Sequence, residues 1–476
     1  MDNGRYEPHG RLLLPAAAAI VAAVLYFYAT LQRYAINIPS IDDYDSALEF
    51  VTKIATSHSL QQKLLIFFTT QHNEYKALFG SGIFWLQYAL FGNLNFSLSC
   101  LLGNLSCLGV AWMVWLMFLP RVRPFALRLA LFVPVAFLLF QLSYAEAMDA
   151  PMAGLQHMPA LAFAFGSILL LLRGTAGTFV LACGCLVLST FSSTNGLLLF
   201  PIGLVILARQ HRWTKIAIWT ALTAGVIGVY RFHYIAPPVS KAVVPFHPSP
   251  LLSLLIFKPL YAIGVLGGVA ALQNGPWLFF MGAALIVFFV YVGRLGFFRN
   301  NPAILYSSAF MVLTAMGMAH VRLANGLQFA GSSRYRMYGA LLMSFAWAAI
   351  VERWVLRGKD TLPTPLHRSK LFAAAVVLSL LHLALAAHRS GAFLKDRAER
   401  YILGMSRYQH PEAPNAASGP LPGDFGADQE GELRYTRRIL DQSIALGVYR
   451  PEHYPPPSEL PFAGSQLTEL RGFEAR

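Results

Sequence analysis

Leu12–Leu31 (LLLPAAAAIVAAVLYFYATL) decides the fold, and the acidic stretch soon after it, Pro39–Asp45 (PSIDDYD), shows where to look for chemistry. Twenty apolar residues in one helix rise far enough to cross about 30 Å of hydrocarbon. Arg5 and Arg11 precede the run, and Tyr26-Phe27-Tyr28 and Arg33-Tyr34 close it. A cleaved signal peptide has a shorter apolar core and a small-residue cleavage site. The run therefore reads as an uncleaved anchor. Basic residues on its N-terminal side place that end in the cytoplasm.

Composition extends this reading to the whole chain. Of 476 residues, 56% are hydrophobic and 13% charged, and mean hydropathy is +0.51. Soluble domains carry roughly 25% charged residues, and a soluble globule has no way to hide so much apolar surface. Further apolar runs lie near 97–119, 125–143, 158–173, 176–192, 195–208, 216–235, 277–293, 303–320, 337–356 and 371–388. With the first they make eleven candidate spans. A twelfth run, 252–272, is interrupted by Lys258-Pro259. The expectation is an all-α, polytopic transmembrane helical bundle of about eleven to twelve spans in the inner (plasma) membrane.

The net charge of +14 tests the topology. Residues 1–388 hold 26 basic and 11 acidic residues, and 389–476 hold 11 and 12. The basic surplus belongs to the membrane body and is no nucleic-acid signal. With eleven spans, Arg121/Arg123/Arg128, Arg173, Arg209/Arg212/Lys215, Arg294/Arg299 and the cluster from Arg353 to Lys370 all fall on the cytoplasmic side. If 252–272 crossed, that last cluster would face outward, so a re-entrant 252–272 is preferred. Residues 389–476 then form an external polar tail, rich in Pro and Gly. Its one amphipathic stretch is Leu433–Val448, where Leu433, Ile439, Leu440, Ile444 and Leu446 share a helical face.

Several classes are disfavoured. Cys100, Cys107, Cys183 and Cys185 all lie in apolar runs, without zinc-site spacing. No Walker loop, dinucleotide fingerprint or HExxH is present. No acidic residue sits in the middle of a span, where ion-coupled transporters usually place one.

The acids gather outside instead. Gln32–Phe96 is a 65-residue loop, far above ordinary connection length. It holds Asp42, Asp43, Asp45 and Glu49, then Gln71-His72-Asn73-Glu74-Tyr75-Lys76, then Ala77–Phe91, which reads as a juxtamembrane helix with Trp85 and Tyr88 at headgroup level. Two adjacent carboxylates raise one another's pKa, so one can serve as base while the other orients it or binds a metal. Asp42 and Asp43 are the catalytic candidates, with Asp43 also a metal-ligand candidate. His72 and Glu74 are further ligands or proton carriers. Asp42-Asp43 also suits a helix N-terminus beginning at Tyr44. The second loop supplies Glu146 and Asp149, three apart and on one helical face, or else polar caps on two spans. A third external segment contains Arg322, Arg334, Tyr335 and Arg336, on the side where positive charge is disfavoured. Arg322 and Arg334 suit an anionic partner, a phosphate held bidentately or lipid headgroups. Ser193–Gly196 reads as a tight turn.

A cytoplasmic N-terminus, about eleven spans and an acidic motif just after the first span resemble the GT-C superfamily of integral-membrane glycosyltransferases. The resemblance implies a polyprenyl-phosphate-linked sugar as donor, an envelope glycan or lipid as acceptor, and transfer outside the membrane with inversion. It implies that Asp42 or Asp43 is the base or a ligand to a divalent metal such as Mg or Mn, and that Glu146 or Asp149 joins the site. Two alternatives use the same features. A polymerase or ligase of lipid-linked glycans would depend chiefly on Arg322 and Arg334. A transporter or flippase would perform no covalent chemistry.

Overall fold

The computed structural model describes residues 7–40, 42–72, 75–122, 124–235, 249–270, 275–356, 366–412 and 429–462. Among the described residues the chain is helical, interrupted by two isolated β-bridges, His72–Tyr75 and Leu94–Tyr449. In chain order the helices are α1 (Glu7–Tyr34), α2 (Phe50–Thr56), α3 (Leu60–Thr69), α4 (Leu78–Phe91), α5 (Phe96–Met117), α6 (Phe125–Leu139), α7 (Ala145–Asp149), α8 (Pro151–Arg173), α9 (Ala176–Ser192) and α10 (Leu199–Arg209). They continue with α11 (Trp213–Arg231), α12 (Pro250–Leu252), α13 (Lys258–Leu266), α14 (Trp277–Arg294), α15 (Phe297–Asn300), α16 (Pro302–Arg322), α17 (Arg336–Ile350), α18 (Leu366–Gln409) and α19 (Gln429–Ala445). Six stretches are long and apolar enough to cross a membrane: Arg11–Tyr34, Phe96–Met117, Pro151–Arg173, Trp277–Arg294, Pro302–Asn325 and Lys370–Gln409. This is a membrane-embedded helical bundle.

Local chemistry sets the helix ends. Asn95 Oδ1 accepts from Leu98 N at 2.9 Å and opens α5. Thr175 Oγ1 does the same for α9 through Thr178 N, at 3.2 Å. Gly174, at φ 73°, closes α8 in the left-handed conformation that favours glycine. The Lys215 ammonium donates to the Gly174 carbonyl at 2.7 Å, which places a cation where the dipole of α8 is negative.

The central packing is α5 against α8. A Cβ on Gly103 would stand 2.6 Å from the Gly154 carbonyl carbon, so the two backbones are in contact there. That approach fixes the start of α8, and with it α7. Asn104, fully buried on α5, donates to the Met148 carbonyl at 2.8 Å and holds the turn between α7 and α8.

The bundle has two chemically distinct ends. Asp42, Asp45, His72, Glu146, Asp149 and Arg334 meet at one, called here the acidic end. About 34 Å away along α8 is the basic end. There Arg128 stacks over Trp115 at 4.1 Å and donates to the Phe118 carbonyl at 2.8 Å, and Arg209 reaches Tyr306. The 250–270 stretch touches the acidic end through Lys258 and through its C-terminal glycines. Lys258 Nζ lies 2.9 Å from His320 Nδ1, while Gly267 and Gly268 lie against Leu278 and Arg336.

Sequence reading separated a body from a sparse tail at 388/389, but that boundary falls inside α18. This helix runs 44 residues, about 66 Å, more than twice a bilayer core. Its second half starts in the main core with Phe393 and Leu394, then projects beyond it and carries α19 back onto the first loop. Thr52 and Ser443 hydroxyls pair at 3.0 Å, Tyr449 donates to the Asn37 carbonyl at 2.7 Å, and Leu94 N donates to the Val448 carbonyl at 2.8 Å. A second hydrophobic core results, joining Tyr44, Val51 and Phe84 to Tyr401, Met405, Ile439, Leu440 and Tyr449. Of the amphipathic face read at 433–448, Ile439 and Leu440 are buried while Leu446 is exposed.

Candidate functional site

The adjacent pair Asp42-Asp43 splits into two environments. Ser40 donates to Asp43 Oδ2 from its amide (2.8 Å) and its hydroxyl (2.6 Å), and Met152 N donates to Asp43 Oδ1 at 3.1 Å. Met152 sits in the first turn of α8, whose amides have no partner within the helix. Asp43 thus caps α8, not the helical turn that begins at its neighbour Tyr44. It is 0% exposed. Burial pushes its carboxyl up to about 7, against the opposing hydrogen bonds from Ser40. Asp43 was expected beside Asp42 as a catalytic and metal-holding group, and in this geometry it offers no surface to a substrate.

Asp42 is different. Its side chain is 45% exposed, and His72 Nε2 lies 3.7 Å from its Oδ1. His72 Nδ1 is 2.8 Å from Asp45 Oδ2. The His72 ring is 7% exposed, and its backbone pairs with Tyr75 through two 2.8 Å bonds. Burial disfavours the charged ring, but the hydrogen bond to Asp45 and the charges of Asp45 and Asp42 outweigh it. The imidazole is pushed up to about 9, so it is a cation at neutral pH. Glu74 lies outside the described residues.

Glu146 and Asp149 do not share a pocket with these groups as free acids. Each is claimed by an arginine. Glu146 Oε2 accepts from Ser332 Oγ at 3.0 Å and from Arg334 Nε at 3.3 Å. Glu146 N donates to Ser333 Oγ at 3.1 Å. Burial opposes ionisation of Glu146, yet the charges of Arg334 and Arg397 hold it below the usual carboxylate range. Asp149 Oδ2 lies 3.3 Å from Arg397 Nε, and burial lifts its carboxyl to about 6 despite that pair.

Beside these pairs opens a cavity of about 790 Å³, within the range of small-molecule sites. Arg322 and Tyr335, two of the substrate-binding candidates, line it together with His157, Arg231, Tyr230 and Tyr234. Arg334 stands next to it in the chain, and the charge of Asp42 reaches both Arg334 and His157. The buried His157 Nδ1 has no hydrogen-bond partner. The turn read at Ser193–Gly196 is present and forms part of the wall through Thr194 and Asn195. A Cβ at Gly196 would lie 2.2 Å from Thr190 N, so only glycine fits this turn. An apolar groove of about 580 Å³ runs along the other side of the end of α11, lined by Leu64, Leu65 and Phe68 of α3 and by Val229 and Phe232.

Sequence reading did not select Arg231, His157, Tyr230 or Tyr234 for the site. Three of them belong to the end of one apolar run, and nothing in that run distinguishes them from interfacial anchors. Arg397 was counted with the tail. A divalent metal needs carboxylates converging on open space. Both Asp43 oxygens are occupied by protein donors, and among the described residues no group of three or more His, Cys, Asp or Glu is arranged to hold a metal ion. The donor set does not fit a metal on Asp43. Compared with known protein families and with curated proteins, the chain matches no family model and no curated sequence.

Proposed function

We propose that this protein is a membrane glycosyltransferase. It moves a sugar from a polyprenyl-phosphate donor to a cell-envelope acceptor at the external face, with inversion. One observation carries the reading: an exposed carboxylate, Asp42, lies beside His72, whose backbone pairs with Tyr75 in the wall of an arginine- and tyrosine-lined cavity. The cavity takes the phosphate and sugar, with Arg231 and Arg322 in its wall and Arg334 beside it countering the phosphate charge. The apolar groove on the opposite face of α11 suits the isoprenoid chain.

In the proposed step Asp42 accepts the proton of an acceptor hydroxyl. The oxygen attacks the anomeric carbon from the face opposite the phosphate. The bond from that carbon to the phosphate oxygen breaks, and the polyprenyl phosphate leaves with the electron pair. Arginines stabilise the charge as it develops. His72, beside it, keeps Asp42 aimed. Asp43 and Asp149 serve the frame.

The same reading takes eleven crossings, with 250–270 staying at the acidic end, which is external. The contacts of Lys258 with His320 and of Gly268 with Arg336 support it, since both partners belong to one end. A polymerase or ligase of lipid-linked glycans is the second reading, favoured by the arginines around the cavity. The deciding experiment is mass spectrometry of envelope glycans and lipid-linked sugars with and without the protein. Loss of one sugar with accumulation of its carrier supports single transfer, loss of long polymer alone supports the second reading, and unchanged glycans refute both.

A further inference from the structure

We infer that Arg397, outside the apolar body, is a positioning residue of this site, acting through Asp149 and α7 on Arg334. Helix α7 has five residues. A single helical turn is not held by its own hydrogen bonds, so side contacts decide where it lies. Segment 143–152 has such contacts on every side. Ser143 and Glu146 bond the 332–336 turn. Met148 O accepts from Asn104 of the bundle. Met152 N donates to Asp43 of the first loop. Asp149 meets Arg397 of α18.

Glu146 and Asp149 are three residues apart and project from one side of α7. Each is paired with an arginine, Arg334 beside the cavity and Arg397 on the projecting half of α18. Arg397 is itself held. Its Nη2 donates to the Tyr401 hydroxyl at 3.2 Å, and its guanidinium packs over the Tyr401 and Phe393 rings. The Asp149–Arg397 pair is largely hidden, with side chains 8% and 18% exposed. Removing one partner of such a pair leaves an uncompensated buried charge, so the pair acts as a lock. Tyr401 also belongs to the second core with α19 and the first loop. The C-terminal segment therefore sets Asp149, Asp149 sets α7, and Glu146 on α7 sets the guanidinium of Arg334.

This rests on the proposed phosphate-binding role of the cavity for one of its two readouts, and the second is independent of that role. The first readout is binding of farnesyl phosphate to the full-length protein in lipid nanodiscs. Arg397→Gln is expected to weaken it roughly tenfold, while Arg397→Lys, which keeps the charge, recovers part of the loss. In an Arg334→Gln background Arg397→Gln should add almost nothing. In an Arg322→Gln background the two effects should multiply. Independent effects of Arg397→Gln and Arg334→Gln would overturn the relay.

The second readout is hydrogen exchange in peptides covering 144–150 and 332–336. Arg397→Gln should speed exchange in both. Unchanged exchange at 332–336 would refute positioning, whatever the ligand. If farnesyl phosphate fails to bind the unmodified protein while exchange responds as expected, the phosphate reading falls and the positioning role stands. Should Arg397→Gln misfold, the double variant Asp149→Asn/Arg397→Met removes both charges together. It is expected to fold, to exchange faster at 332–336 and to bind the probe as weakly as Arg397→Gln. Wild-type exchange and binding in that variant would overturn the inference.

Discussion

His72 Nδ1 lies 2.8 Å from Asp45 Oδ2, across 27 positions of the first loop. The contact closes the loop on itself. It also turns the other ring nitrogen towards Asp42, at 3.7 Å. One imidazolium therefore serves two carboxylates with opposite degrees of freedom, Asp45 bonded and Asp42 left substantially open.

The pH dependence of stability follows from this ring. Its folded-state pKa, about 9, is above the unfolded value of 6.5. The stabilisation is therefore complete below about pH 6.5 and is lost as pH rises through about 9, on the order of 3 kcal/mol in all. Melting temperature should fall across that window in the unmodified protein, and His72→Gln should flatten the fall. An equally steep fall in the variant would show that His72 is not its source.

Asp42 and Asp43 should separate by readout. Asp42→Asn is expected to lower transfer by at least about 100-fold with only a small fall in melting temperature. Asp43→Asn should instead cost about 1–3 kcal/mol of stability, because an amide cannot accept all three hydrogen bonds from Ser40 and Met152. Full transfer activity in both single variants and in the double variant would end the proposed assignment of Asp42 as base.

Glu146 and the arginines discriminate between the two glycan readings. Glu146→Gln removes the charge that holds Arg334 and should weaken donor binding more than it slows turnover. Arg322→Gln should reduce activity under either reading. If Arg322 and Arg334 prove essential while Asp42→Asn is fully active, the polymerase or ligase reading replaces the transferase.

Topology is open to labelling. Single cysteines at exposed Gln62, Ser249 and Arg437 should react with an impermeant thiol reagent in intact cells. One at Arg299, on the basic side, should react only after permeabilisation. Labelling at Arg299 in intact cells with protection at Arg437 would mean that 250–270 crosses.

The C-terminal segment should behave as part of the structure. Leu440 is 0% exposed in the second core, so Leu440→Ala is expected to cost about 2–5 kcal/mol. Leu446→Ala, at an exposed position of the same segment, should cost little. Equal effects of the two would deny that α19 packs as described.

Much of this was legible from one dimension. Apolar runs of span length announce helices because a bilayer leaves the backbone no other partner. The residues read as external, from Asp42 to Arg334, converge on one end because each adjoins the end of an apolar run and helices are rigid connectors. Other features were hidden. Asp42 and Asp43 have the same chemistry, and burial of Asp43 against the start of α8, with Met152 N 109 positions away as one of its partners, separates them. Arg397 looked like one charge of a polar tail because helix 366–409 crosses a change of composition without breaking. His157 and Arg231 face the cavity through the rotation of their helices, which is set by neighbours such as the Gly103–Gly154 approach.

What the sequence alone determined is the membrane character, the helical class and the segregation of acids from bases. These depend on hydropathy and charge, which are additive along the chain. What only the tertiary structure decided is which acid is open, which is buried and which is bound to an arginine. Those outcomes depend on distances of a few ångströms between segments far apart in the chain. Burial and a neighbouring charge then change the same carboxyl group from an exposed anion into a helix cap.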